Sequence, residues 1–288
     1  MIVQLLASGI AVGIIYGLIA MGMVLIFRSV GIMNFAQGDF LMFGGYFAYT
    51  FNKMMGLNII LSLILASACM GVIGVIFMRT SYWALRKAQA KAIIVSAMGA
   101  SIVLREGARL IWGSIPLSLD RVADGNTQIL GATVQWQYIA IVAASMLLMI
   151  LVYVLLEKTF IGNIMQATAQ DQYMSSLVGI PVIASIGMTF FISAAITGIC
   201  GGLLAPIFFL NNTMGTTAGS KAFAAIVIGG FGSVPGAIVG GLLVGLVEQF
   251  GGAYISSTYQ LVIIYVVLII FLMFRPNGLF KSKIGEKA

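Results

Sequence analysis

Leu5-Leu6-Ala7-Ser8-Gly9-Ile10-Ala11-Val12-Gly13-Ile14-Ile15-Tyr16-Gly17-Leu18-Ile19-Ala20-Met21-Gly22-Met23-Val24-Leu25-Ile26-Phe27 runs for 23 positions without a charge. About 20 such residues span the hydrocarbon core of a bilayer. Met1-Ile2-Val3-Gln4 supplies no basic flank, and the run is longer than the apolar core of a secretory leader, so it reads as a retained first membrane helix. Further apolar runs follow at roughly 36–51, 58–78, 92–112, 137–156, 184–210 and 257–274, with a Gly-broken segment at 221–250. The composition agrees: 61% of residues are hydrophobic, 8% are charged and the mean hydropathy is +1.10, against about 25% charged in a soluble domain. A lipid bilayer is the solvent this chain expects. The fold class is all-α: one polytopic transmembrane helical bundle over residues 1–288, with about eight membrane segments.

The net charge of +7 does not point to nucleic acid, because the basic residues form short clusters between apolar runs and not one exposed face. Arg79, Arg86, Lys87 and Lys91 follow the third run, Lys158 the fifth, and Arg275, Lys281, Lys283 and Lys287 close the chain. The excess of Lys and Arg in cytoplasmic loops assigns all three clusters, and hence the C-terminus, to the inner side. Alternation puts the N-terminus outside, the Arg28 to Asn34 turn inside, and the polar stretch 113–135, with Pro116, Asp120, Asp124 and Asn126, outside. One crossing by 221–250 would break this parity. Gly229-Gly230-Phe231-Gly232-Ser233-Val234-Pro235-Gly236 therefore predicts a re-entrant or broken pair of helices. Irregular backbone at membrane depth persists only inside protein or beside a wet cavity, so the break also marks a candidate path. Gly13/Gly17, Gly236/Gly240 and Gly241/Gly245 have the four-residue spacing of closely packed membrane helices.

The chain contains no histidine, the usual general base and commonest metal ligand. Cys69 and Cys200 sit in apolar runs and read as small hydrophobes, not as a metal or disulfide pair. Gly219-Ser220-Lys221 misses the phosphate-loop pattern, with Met214 in the leading Gly position and Ala222 after the lysine, and Gly230-Phe231-Gly232 misses the dinucleotide pattern. An enzyme is therefore disfavoured, and no cofactor is expected on this chain. Ionisable residues within spans are functional suspects. Asp39 opens the second run and Glu248 ends the Gly-rich segment, so both are expected near a membrane boundary, while Arg105 is expected to pair with Glu106 or Arg109 near the outer interface. Asn34, Gln37 and Asp39 form a polar patch at the inner mouth of the second helix, readable as a pore wall or, for Asn34, as a helix cap.

Between the fifth and sixth runs, residues 158–183 are too polar to span. Asn163 to Val178 lacks Gly and Pro, Gly179 and Pro181 form a helix stop, and Met165, Ala169, Tyr173 and Ser176/Leu177 recur at intervals of three and four. This predicts a short amphipathic cytoplasmic helix, either a mere connector or a segment that docks into a groove on a partner.

Gly162, Ala167, Asp171, Leu177, Gly179 and Ile180 in that helix resemble, in identity and spacing, the coupling loop of ABC-importer permeases of the branched-chain amino acid type, close to the LivH-like subunit. Asn34-Phe35-Ala36-Gln37-Gly38-Asp39-Phe40 with Gly44, Gly45 and Tyr46 is similar to the same family. So are Gly229 to Ala237 with Gly240, Gly241 and Glu248, and Phe274-Arg275-Pro276-Asn277-Gly278-Leu279-Phe280. Asn163 and Gln166 stand where family members often carry basic residues, and Ser175 and Ser176 where Ala is usual, which weakens a salt bridge to the ATPase. The resemblance implies a permease in the bacterial inner membrane that pairs with a second related permease, two ATPase subunits and a periplasmic substrate-binding protein, with ATP and Mg held by the ATPases. It implies Leu, Ile and Val as substrates, with urea or short-chain amides as the alternative. The residues themselves make Asn34, Gln37, Asp39, Gly230, Gly232, Gly236 and Glu248 the candidate path or gate. A stand-alone secondary transporter or channel is the competing class.

Overall fold

The computed structural model describes residues 1–129 and 131–280; Lys281, Lys283 and Lys287 lie outside them. The described chain is a bundle of packed helices with one short hairpin. α1 (Ile2–Val30) is buried on every side from Ala11 to Ile26, as expected of a helix that is apolar all round. It ends at Gly31, whose φ of 73° closes a left-handed cap through a hydrogen bond to the Phe27 carbonyl. α2 (Gln37–Tyr49) continues into an irregular turn to Met54, α3 (Ile59–Phe77) is capped by the Asn58 side chain, and α4 (Ala90–Trp112) runs back alongside α2. Strands β1 (Asn126–Ile129) and β2 (Ala132–Gln135) form an antiparallel hairpin before α5 (Trp136–Lys158). α6 (Phe160–Gln170) and α7 (Gln172–Leu177) lead to α8 (Val182–Phe208), the second deeply buried helix. α9 (Met214–Gly229), α10 (Val234–Tyr254) and α11 (Gln260–Phe274) complete the bundle.

By length and composition, α1, the stretch Ile59–Leu85 begun by α3, α5, α8 and α10 are apolar enough to cross a membrane. Side-chain contacts order the two ends. Gln172 donates to the Ser29 carbonyl and Arg28 to the Gly232 carbonyl, each at 2.8 Å, and the Leu279 and Phe280 amides donate to the carbonyls of Ile228 and Gly229. The end of α1, the α6–α7 segment, the α9–α10 turn and the last described residues thus share one end, to which Arg79, Arg86, Lys87, Lys91, Lys158 and Arg275 also belong by chain order. The opposite end carries the β hairpin and a two-stranded bridge between Leu117 and Leu210.

The Gly-broken segment therefore forms two helices that meet at residues 230–233, with Ser233 capping α10 through the Gly236 amide and Pro235 in its first turn. α9 begins at Met214, seven residues before the apolar run was expected to start, because its first two turns are rich in Gly, Thr and Ser. With it the bundle counts nine helices of 13 residues or more among the described residues. The four-residue Gly spacings pack as expected. Gly13 and Gly17 of α1 lie directly against Gly241 and Gly245 of α10, where no Cβ fits, and Gly240 lies against Ala225.

Candidate functional site

After Gly31 the chain turns back into the bundle, and α2 starts beside Gly22, about 12 Å along α1 from its end at Val30. Residues 31–36 are thus irregular backbone that leads into the protein, exposed at Gly31 and Phe35 and buried at Asn34 and Ala36; a turn was expected from Arg28 to Asn34, but not one reaching this depth. Its polar groups are matched by side chains. Asn34 Oδ1 accepts from the Ala36 amide and Asn34 Nδ2 donates to Gln37 Oε1. Gln37 Nε2 donates to Ser193 Oγ at 2.8 Å and Thr197 Oγ1 at 2.6 Å, and Ser193 Oγ donates to the Gly22 carbonyl at 2.9 Å. One hydrogen-bonded chain therefore ties α1, α2 and α8. Asn34 closes the turn ahead of α2 and does not cap it, since the N-cap is Ala36.

Asp39, one turn further on, is 2% exposed. It accepts a hydrogen bond from Ser101 near the middle of the 23-residue α4, and its Oδ1 lies 3.8 Å from Arg105 Nε. Two expectations are corrected here. Asp39 is deep in the bundle, not at a boundary, because α2 itself starts inside; and Arg105 turns inward to Asp39, while Glu106 pairs with Arg109 at 3.3 Å in an exposed position. Glu248 is likewise buried, at 1% exposure, with Oε1 2.6 Å from Lys221 Nζ, which also donates to Tyr16 Oη. Lys221 was read only as part of a failed phosphate loop; a lone lysine among small residues, in a chain with so few acids, was the available signal.

A cleft of about 320 Å³ opens between α4 and α9 beside this patch, lined by Asn34, Asp39, Ser101, Arg105 and Thr216 on its polar side and by methionines and aromatics elsewhere. Thr216 and Thr217 are exposed on α9, with Thr213 just before it and Ser220 one turn on; the Thr213, Thr217 and Ser220 hydroxyls donate to Asn211 Oδ1 and to the Thr213 and Thr216 carbonyls. The structure brings Asn34 and Asp39 to this cleft with Gln37 just behind them. Gly230, Gly232, Gly236 and Glu248 do not line it. Gly230 packs on the backbone of residues 277–280, Gly236 on Gly229, and Gly232 offers its carbonyl to Arg28.

The segment 158–183 is two helices, not one. Thr159 caps α6 and Asp171 caps α7 by accepting from the Tyr173 and Met174 amides. The break changes which face is apolar: Met165 is buried, whereas Tyr173, Met174, Leu177 and Val178 are exposed in a row on and after α7. Gly162 allows α6 to turn tightly against the last carbonyls of α5, and Gly179, at φ 87°, ends α7 in the left-handed region. Ala167 is half-buried, and Asp171, Leu177 and Gly179 are open to a partner.

Residues 5–272 match the family model described as the branched-chain amino acid transport system permease component. The chain is 33% identical to the high-affinity branched-chain amino acid transport system permease protein BraD of Pseudomonas aeruginosa, over 99% of this chain and 97% of that one. It is 30% identical to the LivH permease protein of the corresponding Escherichia coli system over the same shares. A probable LivH permease protein of Methanocaldococcus jannaschii is 25% identical over 91% of this chain and 87% of its own length.

Proposed function

The chain belongs to the family of branched-chain amino acid transport system permease components, and from that premise we propose that it forms half of the translocation path of an ATP-driven importer for leucine, isoleucine and valine. It is a membrane transport subunit and not an enzyme. The relatives' names favour amino acids over urea or short amides as the cargo. Its partners in this reading are a second, related permease, two ATPase subunits that bind ATP and Mg, and a periplasmic binding protein that supplies selectivity. The bacterial inner membrane is its site, with the basic end and the C-terminus in the cytoplasm.

The observation that carries this reading is the exposed apolar row Tyr173, Met174, Leu177 and Val178 on a short helix at the basic end. An apolar row in water marks a protein contact, and this one is wired into the bundle. Displacement of α7 by closing ATPases would reach α1 through Gln172 and Ser29, and the α9–α10 turn through Arg28 and Gly232. Because glycine contacts hold α1 and α10 together, the two would move as one body. The 31–36 segment, tied to α1 and α8 through Gln37, would then shift the floor of the Asp39 cleft and expose the path alternately to each side. The test is reconstitution in proteoliposomes with all partners. Leucine uptake should require ATP, the binding protein and the ATPases together; uptake that persists without the ATPases would favour a lone carrier and overturn the reading.

A further inference from the structure

Ser101 holds both members of the Asp39 and Arg105 pair, donating to Asp39 Oδ2 and accepting from Arg105 Nη2 at 3.4 Å. Both residues line the cleft. Asp39 Oδ1 and Arg105 Nε are 3.8 Å apart, beyond hydrogen-bond range, and each is buried without a hydrogen-bond partner. The two stay within ion-pair distance of each other, but buried groups that lack a hydrogen bond are costly until something supplies one. The cleft in front of them holds about 320 Å³, at the lower end of the roughly 300–1,000 Å³ range of small-molecule sites. Away from the charges its wall is Met23, Met33, Met98, Ile102, Phe223 and Tyr265.

We propose that this cleft is a transit site for a free α-amino acid, in which Asp39 receives the ammonium, Arg105 receives the carboxylate, and the methionine-rich wall takes an aliphatic side chain. The inference rests on the transport reading above and gives its path a recognition site. A solute with one charge would engage one member of the pair and leave the other without a counter-ion, whereas a zwitterion matches both and keeps the site neutral throughout. When it leaves, the two side chains again stand opposite each other, so departure exposes no isolated charge in the membrane. Flexible thioethers adapt to differently branched side chains, which suits one site to leucine, isoleucine and valine alike.

The complete transporter in nanodiscs, without its binding protein, provides the test by equilibrium binding of L-leucine, 4-methylpentanoate, which lacks the ammonium, and 3-methylbutylamine, which lacks the carboxylate. Each one-ended analogue should bind about tenfold more weakly or worse, a loss of roughly 1.4 kcal/mol. Asp39→Asn should narrow the gap between leucine and 4-methylpentanoate, and Arg105→Gln the gap between leucine and 3-methylbutylamine. Wild-type protein that binds all three compounds equally, or binds none of them, overturns the site without reliance on any variant, as do variants whose leucine affinity is unchanged. Uptake by the same transporter with its binding protein and ATP separates the two ideas. Leucine uptake alongside a negative binding result sinks the transit site alone, and absence of leucine uptake sinks the transport reading and the site with it.

Discussion

Lys221 and Glu248 show how a single pair can fasten three helices. They join α9 to α10, and Lys221 adds Tyr16 of α1. Removing one partner from a buried pair leaves a bare charge and costs about 3–5 kcal/mol, while replacing both by apolar residues of similar size is often neutral. Lys221→Met alone should therefore lower thermal stability in detergent markedly, and the Lys221→Met, Glu248→Leu double variant should recover most of the loss; a double variant no better than the single one would contradict this account. Gly245→Leu should also destabilise, by about 1–3 kcal/mol or more, because α10 lies against Gly13 with no room for a side chain, and the same melting experiment checks it. The identity of these suspects was legible in the sequence; their depth was not. Hydropathy places a span boundary where apolarity begins, and Asp39 and Lys221 both sit in helices whose first turns are polar. The partners Arg105 and Ser101 come from a distant helix, which no spacing along the chain reveals.

Among the elements, the α6–α7 connection was readable from its polar composition and its Gly179 stop, but not its division. Asp171 interrupts what looks like one continuous helical period, because its side chain serves the Tyr173 and Met174 amides and its backbone is extended. Asp171→Ala should loosen α7 by about 1 kcal/mol and reduce coupling in part, seen as more ATP hydrolysed per leucine imported. Leu177→Asp, or a bulky residue at Gly179, should leave the permease inserted and the ATPases active while uptake falls; unchanged uptake in both would show that α7 is only a connector. At the other break, Gly232→Leu places a branched side chain at φ 82° and disturbs the carbonyl held by Arg28. Transport should be lost with the complex still assembled, and wild-type uptake would make this turn passive. The turn at 230–233 was evident from its glycines and proline. The turn after α1 was expected as well, from Arg28 to Asn34, but its depth was not, since its residues carry only one glycine and no proline and its polar groups are satisfied by Asn34 and by contacts across the bundle.

At the scale of the whole molecule, the basic clusters led to the expectation of a re-entrant or broken pair at 221–250, and the segment forms two helices, α9 and α10, joined at 230–233. In the proposed function one fold serves two tasks: a bundle knitted by small residues around α1 and α8, and a pair of short helices through which a separate ATPase would move it. The claim on which the rest depends is that α7 is in the cytoplasm and covered by that ATPase. It is tested most directly by replacing Cys69 and Cys200 with Ala, introducing Tyr173→Cys, and measuring labelling by a membrane-impermeant maleimide. The account predicts labelling in inside-out vesicles stripped of ATPase, none in intact spheroplasts, and protection when the ATPase subunits are restored. Labelling from the outer face, or labelling that the ATPase does not diminish, would contradict it.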